Sequence, residues 1–265
     1  MMRSLWIAKT GLDAMQSNLD TISNNLANVS TTAFKRVRPI FEDLMYQNLR
    51  EPGLISSNGN FVPAGLQAGN GSHIASTMRV NTAGAMVHSD NPFDLAISGN
   101  GFFMLQTGPN SVGYTRAGNF MRDSTGNIVN SNGQQLLDAS GGTVNIPSTA
   151  TTIEIASDGK VSYYTSNTLV PNILPSPIAI RTFVNPTGLS SSGAGIYTET
   201  LSSGSPQAGT AGQNGFGAIT QYYTEQSNVN VAEELVTLIA AQRAYEITAK
   251  SVTASDQMLQ KLGQM

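Results

Sequence analysis

The chain has 265 residues, no cysteine, and 14 Lys+Arg against 17 Asp+Glu, for a formal net charge of -3. That balance, with a pI near 5.3, leaves no basic footprint for a nucleic-acid backbone or an anionic membrane surface. The missing cysteines exclude disulfides, thiolate metal sites and a Cys nucleophile. Only 12% of residues are charged, against roughly 25% in ordinary domains. Yet 40% are hydrophobic and 7% aromatic, too many for a chain that stays disordered. A polar, weakly charged, glycine-rich surface suits a β-rich protein that is exported or assembles.

The N-terminal stretch has no continuous apolar h-region, because Lys9, Thr10, Asp13 and Gln16 interrupt it. No signal peptide is expected, and no apolar run is long enough to span a bilayer. From Ser4 to Val29 the pattern is helical. Leu5, Leu12, Leu19 and Leu26 recur every seven residues, and Ala8, Met15, Ile22 and Val29 form a second row, the a/d pattern of a coiled-coil seam. Such a helix would run ~39 Å. Asn24, Asn25 and Asn28 lower its propensity, so it is expected to need a partner helix.

After a segment rich in Gly, Ser, Pro and Asn between Pro52 and Gly71, the periodicity changes to short apolar runs: Phe93 to Ile97, Phe102 to Leu105, Ile153 to Ile155 and Ile178 to Val184. These read as strands. Asn100-Gly101, Gly126-Asn127, Asn132-Gly133 and Asp158-Gly159 supply the positive φ of tight hairpins. Ser202 to Gly217 again has connector composition. The last segment, Asn230 to Leu262, is helical: Val231, Leu238, Tyr245, Val252 and Leu259 form one seven-residue row, flanked by Leu235, Ile239, Ala241 and Ala249. Asn230 with Glu233 makes a capping box, and Lys250 and Lys261 lie towards the end that favours cations.

The expected fold is therefore a mostly β, hairpin-rich middle domain with N- and C-terminal helices pairing as an α-helical coiled coil. Residues 1–35 with 228–265 form the helical domain, 36–75 with 208–227 an extended connector region, and 76–207 the β-rich outer domain. Two helices bury only one face between them, so the remaining apolar side chains, Trp6, Ile7 and Leu262 among them, should seek other copies. Different contact surfaces on two partners make a heterologous interface that propagates into a helical filament.

The sequence gives little to catalysis. His73 and His88 sit in turn-rich sequence with no partner at metal-ligand spacing, and no Gly-x-Ser-x-Gly elbow occurs. Gly99-Asn100-Gly101 is followed by Phe102-Phe103 where a phosphate loop needs Gly or Gly-Lys-Ser/Thr, so it reads as a hairpin turn. Asp123 to Asn127 resembles half a calcium loop without its bidentate Glu. Glu233-Glu234 lie in a first helical turn, where the helix dipole explains them. No catalytic residue, cofactor or metal is expected. A wall-acting hydrolase would need a carboxylate pair, and Asp90, Asp94, Asp123, Asp138, Glu154, Asp158 and Glu199 show no spacing that singles one out. An adhesin is the other competing class, and would tolerate loss of the last helix.

Three stretches carry a family resemblance. Asn24-Asn25-Leu26-Ala27-Asn28-Val29-Ser30-Thr31-Thr32-Ala33-Phe34-Lys35-Arg36 resembles the signature that ends the N-terminal helix of flagellar rod and hook proteins. Asn91 to Phe103 and Tyr114-Thr115-Arg116-Ala117-Gly118-Asn119-Phe120 are similar to that family's core hairpins. Ser227-Asn228-Val229-Asn230-Val231-Ala232-Glu233-Glu234-Leu235, Gln242-Arg243-Ala244-Tyr245-Glu246 and Asp256-Gln257-Met258-Leu259 resemble its C-terminal helix. Arg3 to Ala14 and Phe41 to Gln47 look most like the distal rod members, with a proximal rod or hook-type subunit as the alternative.

The resemblance implies a structural subunit, not an enzyme, that polymerises helically, encloses the export channel and transmits torque from motor to hook. Its partners would be further copies, proximal rod proteins, the hook protein, P- and L-ring proteins as bushing, and the flagellar export apparatus, with no nucleic acid and no direct membrane insertion. It would reside in the periplasm-spanning rod, exported without a cleaved signal peptide. The residues expected to pack between subunits are Leu5, Leu12, Met15, Leu19, Ile22, Leu26, Leu235, Leu238, Tyr245, Val252 and Leu259. Phe61 and Leu66 join them from a segment placed like the distal rod insertion, between Arg50 and Gln67. Ala33 stands where the family has Gly; a left-handed backbone would cost alanine about 1 kcal/mol or more, so a different local turn is expected. Thr143 to Ser176 departs from the family pattern.

Overall fold

The computed structural model describes residues 2–51, 64–109, 111–165 and 170–263. Heptad spacing at both ends becomes two helices, α1 (Met2–Ala27) and α2 (Val231–Gly263), and the rest of the chain is short strands. Contacts divide it into a helical unit (residues 1–27, 37–79 and 230–265) and a strand-rich unit (28–36 and 80–229).

In the helical unit α1 and α2 are antiparallel. Asn25 meets Glu234, and Gly11 meets Thr248, where a Cβ on the glycine would lie 3.6 Å from the threonine Cγ2. The side chain of Asn230 accepts the Ala232 N–H at 3.1 Å, the cap its position predicts. The buried seam of α2 follows the predicted row only in part. Glu234 and Ala241 are its buried residues, with Leu238, Thr248 and Val252 half-buried, whereas Val231, Leu235 and Tyr245 are exposed. Ala241, and Gly11 opposite Thr248, let the helix axes approach, and apolar periodicity alone does not register Glu234 or Thr248. On α1, Ala14, Ile22 and Asn25 are buried. Against α1 lies the antiparallel pair Val37–Asp43 and Ser72–Arg79, followed along the chain by a second pair, Gln47–Arg50 with Leu66–Ala68.

Asn25 is one of the asparagines that weaken α1, and the structure gives it a different task. Its Oδ1 accepts the Val37 N–H at 2.9 Å and its Nδ2 donates to the Val37 carbonyl at 2.8 Å. The side chain thus takes the place of a neighbouring strand. Asn25→Ala is expected to destabilise the helical unit by about 1–3 kcal/mol, because it strands buried backbone groups; urea unfolding followed by far-UV dichroism measures this.

The strand-rich unit is built on one antiparallel sheet. Phe102–Gly108 is its centre, pairing with Ser111–Thr115, Gln135–Leu136 and Ile180–Thr182. Phe103 and Leu105 point into one cluster with Phe120, Ile128, Leu136, Ile146 and Ile180. Phe102 and Met104 point into another with Tyr114, Phe183 and Tyr197. Both faces are buried, which is why this run is continuously apolar instead of alternating. Edge-on rings complete the packing, Phe103 with Phe120 at 5.5 Å and Tyr114 with Phe183 at 4.9 Å, in the geometry their quadrupoles favour.

All four strand runs are present, trimmed or extended to Leu95–Ser98, Phe102–Gly108, Ala150–Ile155 and Ile180–Thr182. Gly126, Gly133 and Gly159 have φ of 90°, 78° and 89° in turns that join paired strands. Gly99-Asn100-Gly101 is not a hairpin. Leu95–Ser98 pairs with Ala218–Gln221 and Phe102–Gly108 with other strands, and of the intervening carbonyls those of Gly99 and Gly101 accept from Arg116 and that of Asn100 from the Gly217 N–H. His73 and His88 lie in strands, not turns. Within Ser202–Gly217, the strand Gln207–Gly209 pairs with Ile180–Thr182 and Ala211 is buried, so glycine and serine content there reflects close packing.

Gly118 shows that packing most sharply. Its carbonyl accepts the Leu95 N–H at 2.9 Å, and a Cβ on it would overlap the Leu95 carbonyl. Gly118→Ala is expected to destabilise the strand-rich unit by roughly 2–3 kcal/mol, read as a lower urea midpoint. A change below about 0.5 kcal/mol, the range of ordinary surface substitutions, would mean the two backbones separate freely.

Candidate functional site

No cluster of His, Asp and Glu suited to a metal occurs among the described residues, and none of their helices is long and apolar enough to cross a membrane. The chemically notable features are two: the apolar surface of the helical unit and a buried ion cluster in the strand-rich unit.

On α2 the side chains turned away from α1 include Val236, Ile239, Ile247 and Met258, all exposed, with Val236 and Ile247 each 68% accessible, and Leu235 and Tyr245 are exposed at the margin of the seam. On α1, Trp6 and Ile7 are exposed. Single exposed leucines need no explanation, but a helix whose outward side repeats Val, Ile and Met does. The two-stranded pair Gln47–Arg50 and Leu66–Ala68 adds Met45, Tyr46, Leu49 and Leu66, again exposed.

The expected packing residues fall into two sets. Ile22 is buried and Leu5, Leu12, Met15, Leu19, Leu26, Leu238 and Val252 are half-buried within the helical unit, while Leu66, Leu235 and Tyr245 are exposed. Phe61 lies outside the described residues, as does the side chain of Leu259, which is carried on α2.

The ion cluster was not anticipated from the residues alone. Glu225, 1% exposed, receives Lys35 Nζ on Oε1 and Arg116 Nε on Oε2 at 3.0 Å, and both cations are themselves buried. The Gly84 N–H also donates to Oε1 at 2.9 Å. Lys35 donates further to the Thr82 carbonyl at 2.8 Å, and Arg116 Nη1 to the carbonyls of Gly99 and Gly101, each at 2.7 Å. The two glycines have φ of 116° and 147°, which turns both carbonyls onto one guanidinium. Burial opposes the charge on Glu225, but the Arg116 charge, the Lys35 contact and the Gly84 amide outweigh it and hold the carboxyl below its usual value. Burial lowers Lys35 against the opposing pull of Glu225.

This cluster fastens residues 28–36 and 226–229 into the strand-rich unit. The Ala33 N–H donates to the Glu225 carbonyl at 2.8 Å. Asn228 accepts the Arg36 N–H at 2.7 Å and donates to the Val80 carbonyl at 2.9 Å. Ala33 keeps the left-handed backbone, φ 56°, so the turn is the one a glycine would make; the buried hydrogen bond holds an alanine against the strain. Glu234 also departs from expectation: it is 1% exposed against Asn25, not a solvated dipole partner.

Comparison with known proteins matches the family described as flagella basal body rod protein over residues 5–35 and the flagellar hook protein FlgE/F/G D1 domain over 96–163. The flagellar basal body rod FlgEFG protein C-terminal family matches over 220–265. The chain is 49% identical over 265 residues, 100% of both chains, to the flagellar basal-body rod protein FlgG of Buchnera aphidicola subsp. Acyrthosiphon pisum. It is 41% identical to the protein of that name from Borreliella burgdorferi, covering 98% of this chain and 97% of the other. With the one from Bacillus subtilis it shares 36% identity over 99% and 98%.

Proposed function

The chain belongs to the flagellar basal-body rod protein family, and from that premise we propose that it is a structural subunit that polymerises helically into the distal rod, is required for motility and transmits torque from motor to hook. The observation that carries this reading is the row of exposed apolar side chains on α2, with Trp6 and Ile7 on α1. In the assembled rod α1 and α2 pair as a coiled coil, and those side chains pack against the helices of neighbouring copies around the export channel. Leu235, Tyr245 and Leu66 are contacts between copies, a role we extend to Phe61 and Leu259; the half-buried Leu5, Leu12, Met15, Leu19, Leu26, Leu238 and Val252, with Ile22, serve both the intrachain pair and its neighbours.

Subunits reach the growing tip through the flagellar export apparatus without a cleaved signal peptide. There they meet proximal rod proteins below, the hook protein above, and the P- and L-ring proteins as bushing in the periplasm.

Deleting the gene and imaging extracted basal bodies by electron microscopy tests the reading. A rod that stops short and carries no hook is the expected result. Complete hook-basal bodies in the deletion strain would overturn it.

A further inference from the structure

The strand-rich unit contains a cavity of about 350 Å³. Lys35 and Arg116 line it together with the rings of Phe102, Phe183 and Phe216, and the exposed Gln207 and Asn214 stand at its mouth. None of the described residues that line it is acidic. An ammonium group carries three N–H donors and a guanidinium five. Lys35 spends its donors on Glu225 and the Thr82 carbonyl. Arg116 spends Nε on Glu225 and Nη1 on the carbonyls of Gly99 and Gly101. One donor of Lys35 and the whole Nη2 amino group of Arg116 therefore have no partner among the described residues, although both side chains are more than nine-tenths buried.

Charge gives the same result. Two cations face one carboxylate, so the wall of the cavity presents one surplus positive charge on side chains that are otherwise buried, where a charge lacking a partner is less well compensated than at an open surface. The lowered pKa of Lys35, caused first by burial, agrees with a cation short of compensation.

We propose that this cavity is a carboxylate-binding socket that receives an acidic side chain of a second copy of the chain. A single planar monoanion matches the surplus charge and the free edge of a guanidinium, and its apolar stem matches the phenyl walls. A phosphate dianion would overshoot the charge. The second copy as donor rests on the rod-subunit reading: subunits in a homopolymer have copies of themselves as neighbours, and the chain carries 17 Asp+Glu to offer.

The test uses the full-length protein and 3-phenylpropionate as probe, with uncharged 3-phenylpropanol as control, followed by ¹H–¹⁵N NMR. Saturable shifts confined to Gly101, Gly215, Phe216 and the Arg116 side chain are expected for the acid. The alcohol should bind at least about tenfold more weakly, as loss of a desolvated charge pair implies. Gln207→Glu and Asn214→Asp, at exposed positions, place a resident carboxylate at the mouth; both should keep the wild-type melting temperature and weaken the probe by a similar factor. Equal binding of acid and alcohol, or shifts scattered over the surface, would overturn the socket. In the source organism, Gln207→Glu should yield fewer or shorter rods. Normal rods from a variant that has lost the probe would overturn the second copy as donor and leave a site for free carboxylates. The titration is independent of the gene deletion, so failure of the socket and failure of the rod reading are told apart.

Discussion

Replacement of Glu225 by alanine is expected to destabilise the strand-rich unit by about 3–5 kcal/mol, because it strands two cations in a low-dielectric interior. Lys35 and Arg116 are both buried, so neither can regain full hydration without opening the structure. Backbone is lost as well: Gly84 loses its acceptor. Urea unfolding of the full chain, followed by the near-ultraviolet signal of the buried tyrosines, reads the effect. A loss under about 1 kcal/mol, the value of an exposed pair, would mean the cluster is solvated. The double variant Lys35→Met with Glu225→Leu should lose less than the two single changes added together, since removing both charges of a pair avoids the uncompensated one.

The same cluster fixes an acid limb. Glu225 titrates below its ordinary 4.5 in the folded protein, so the unfolded chain binds its proton first as pH falls. Its contribution is therefore complete above that ordinary value and is lost as pH falls through the folded one. Asp123, held down by the Ser124 amide, and Asp158, held down by Lys160, act in the same direction. Glu225→Gln is expected to flatten the dependence of the urea midpoint on pH below about 4.5. An unchanged slope would assign the acid limb to other carboxylates.

Both helices were legible because their signal is local: residues seven apart are neighbours on one face. The predicted spans, Ser4 to Val29 and Asn230 to Leu262, differ from Met2–Ala27 and Val231–Gly263 by one or two residues at each end, the usual fraying of a terminus. Leu238, Ala241 and Val252 of the predicted set do lie on the seam between α1 and α2; what apolar periodicity missed there are Glu234, Thr248 and Asn25, which are polar, and Gly11 and Ala14, which are too small to register. The ion cluster was hidden for another reason. Its members are separated by 190 and 109 residues, and nothing in one stretch announces a charge meant for another. Lys35 and Arg116 nevertheless sit in the stretches that carried the family resemblance, as do Gly118, Asn25 and Asn228. Those motifs hold the chain's returns into the strand-rich unit and the first strand beyond α1, a role a single sequence displays without explaining. Gly99-Asn100-Gly101 was misread because a positive φ is common to a hairpin and to a loop wrapped around a guanidinium; only the identity of the paired strands separates them.

Leu238→Pro should abolish assembly while the strand-rich unit stays folded. Leu238 lies near the start of α2 and is half-buried. Proline there removes an N–H, clashes with the preceding turn and costs about 3 kcal/mol or more. That loss falls on a helix whose apolar outer side still awaits partners, so pairing with α1 and contact with other copies fail together. The strand-rich unit keeps its own core around Phe103, Phe120 and Ile180, and its tyrosine and phenylalanine signals should be unchanged. Ile247→Glu separates the two losses. At 68% exposure it should alter the stability of the isolated subunit by no more than about 0.5 kcal/mol, yet place a charge where neighbouring helices pack. Motility in soft agar and rods counted in electron micrographs are the readouts, with both variants expected to swim no better than a deletion strain. If Ile247→Glu swims normally while Leu238→Pro does not, the outer face of α2 faces solvent in the rod, and assembly runs through the strand-rich unit and the Gln47–Arg50 pair instead.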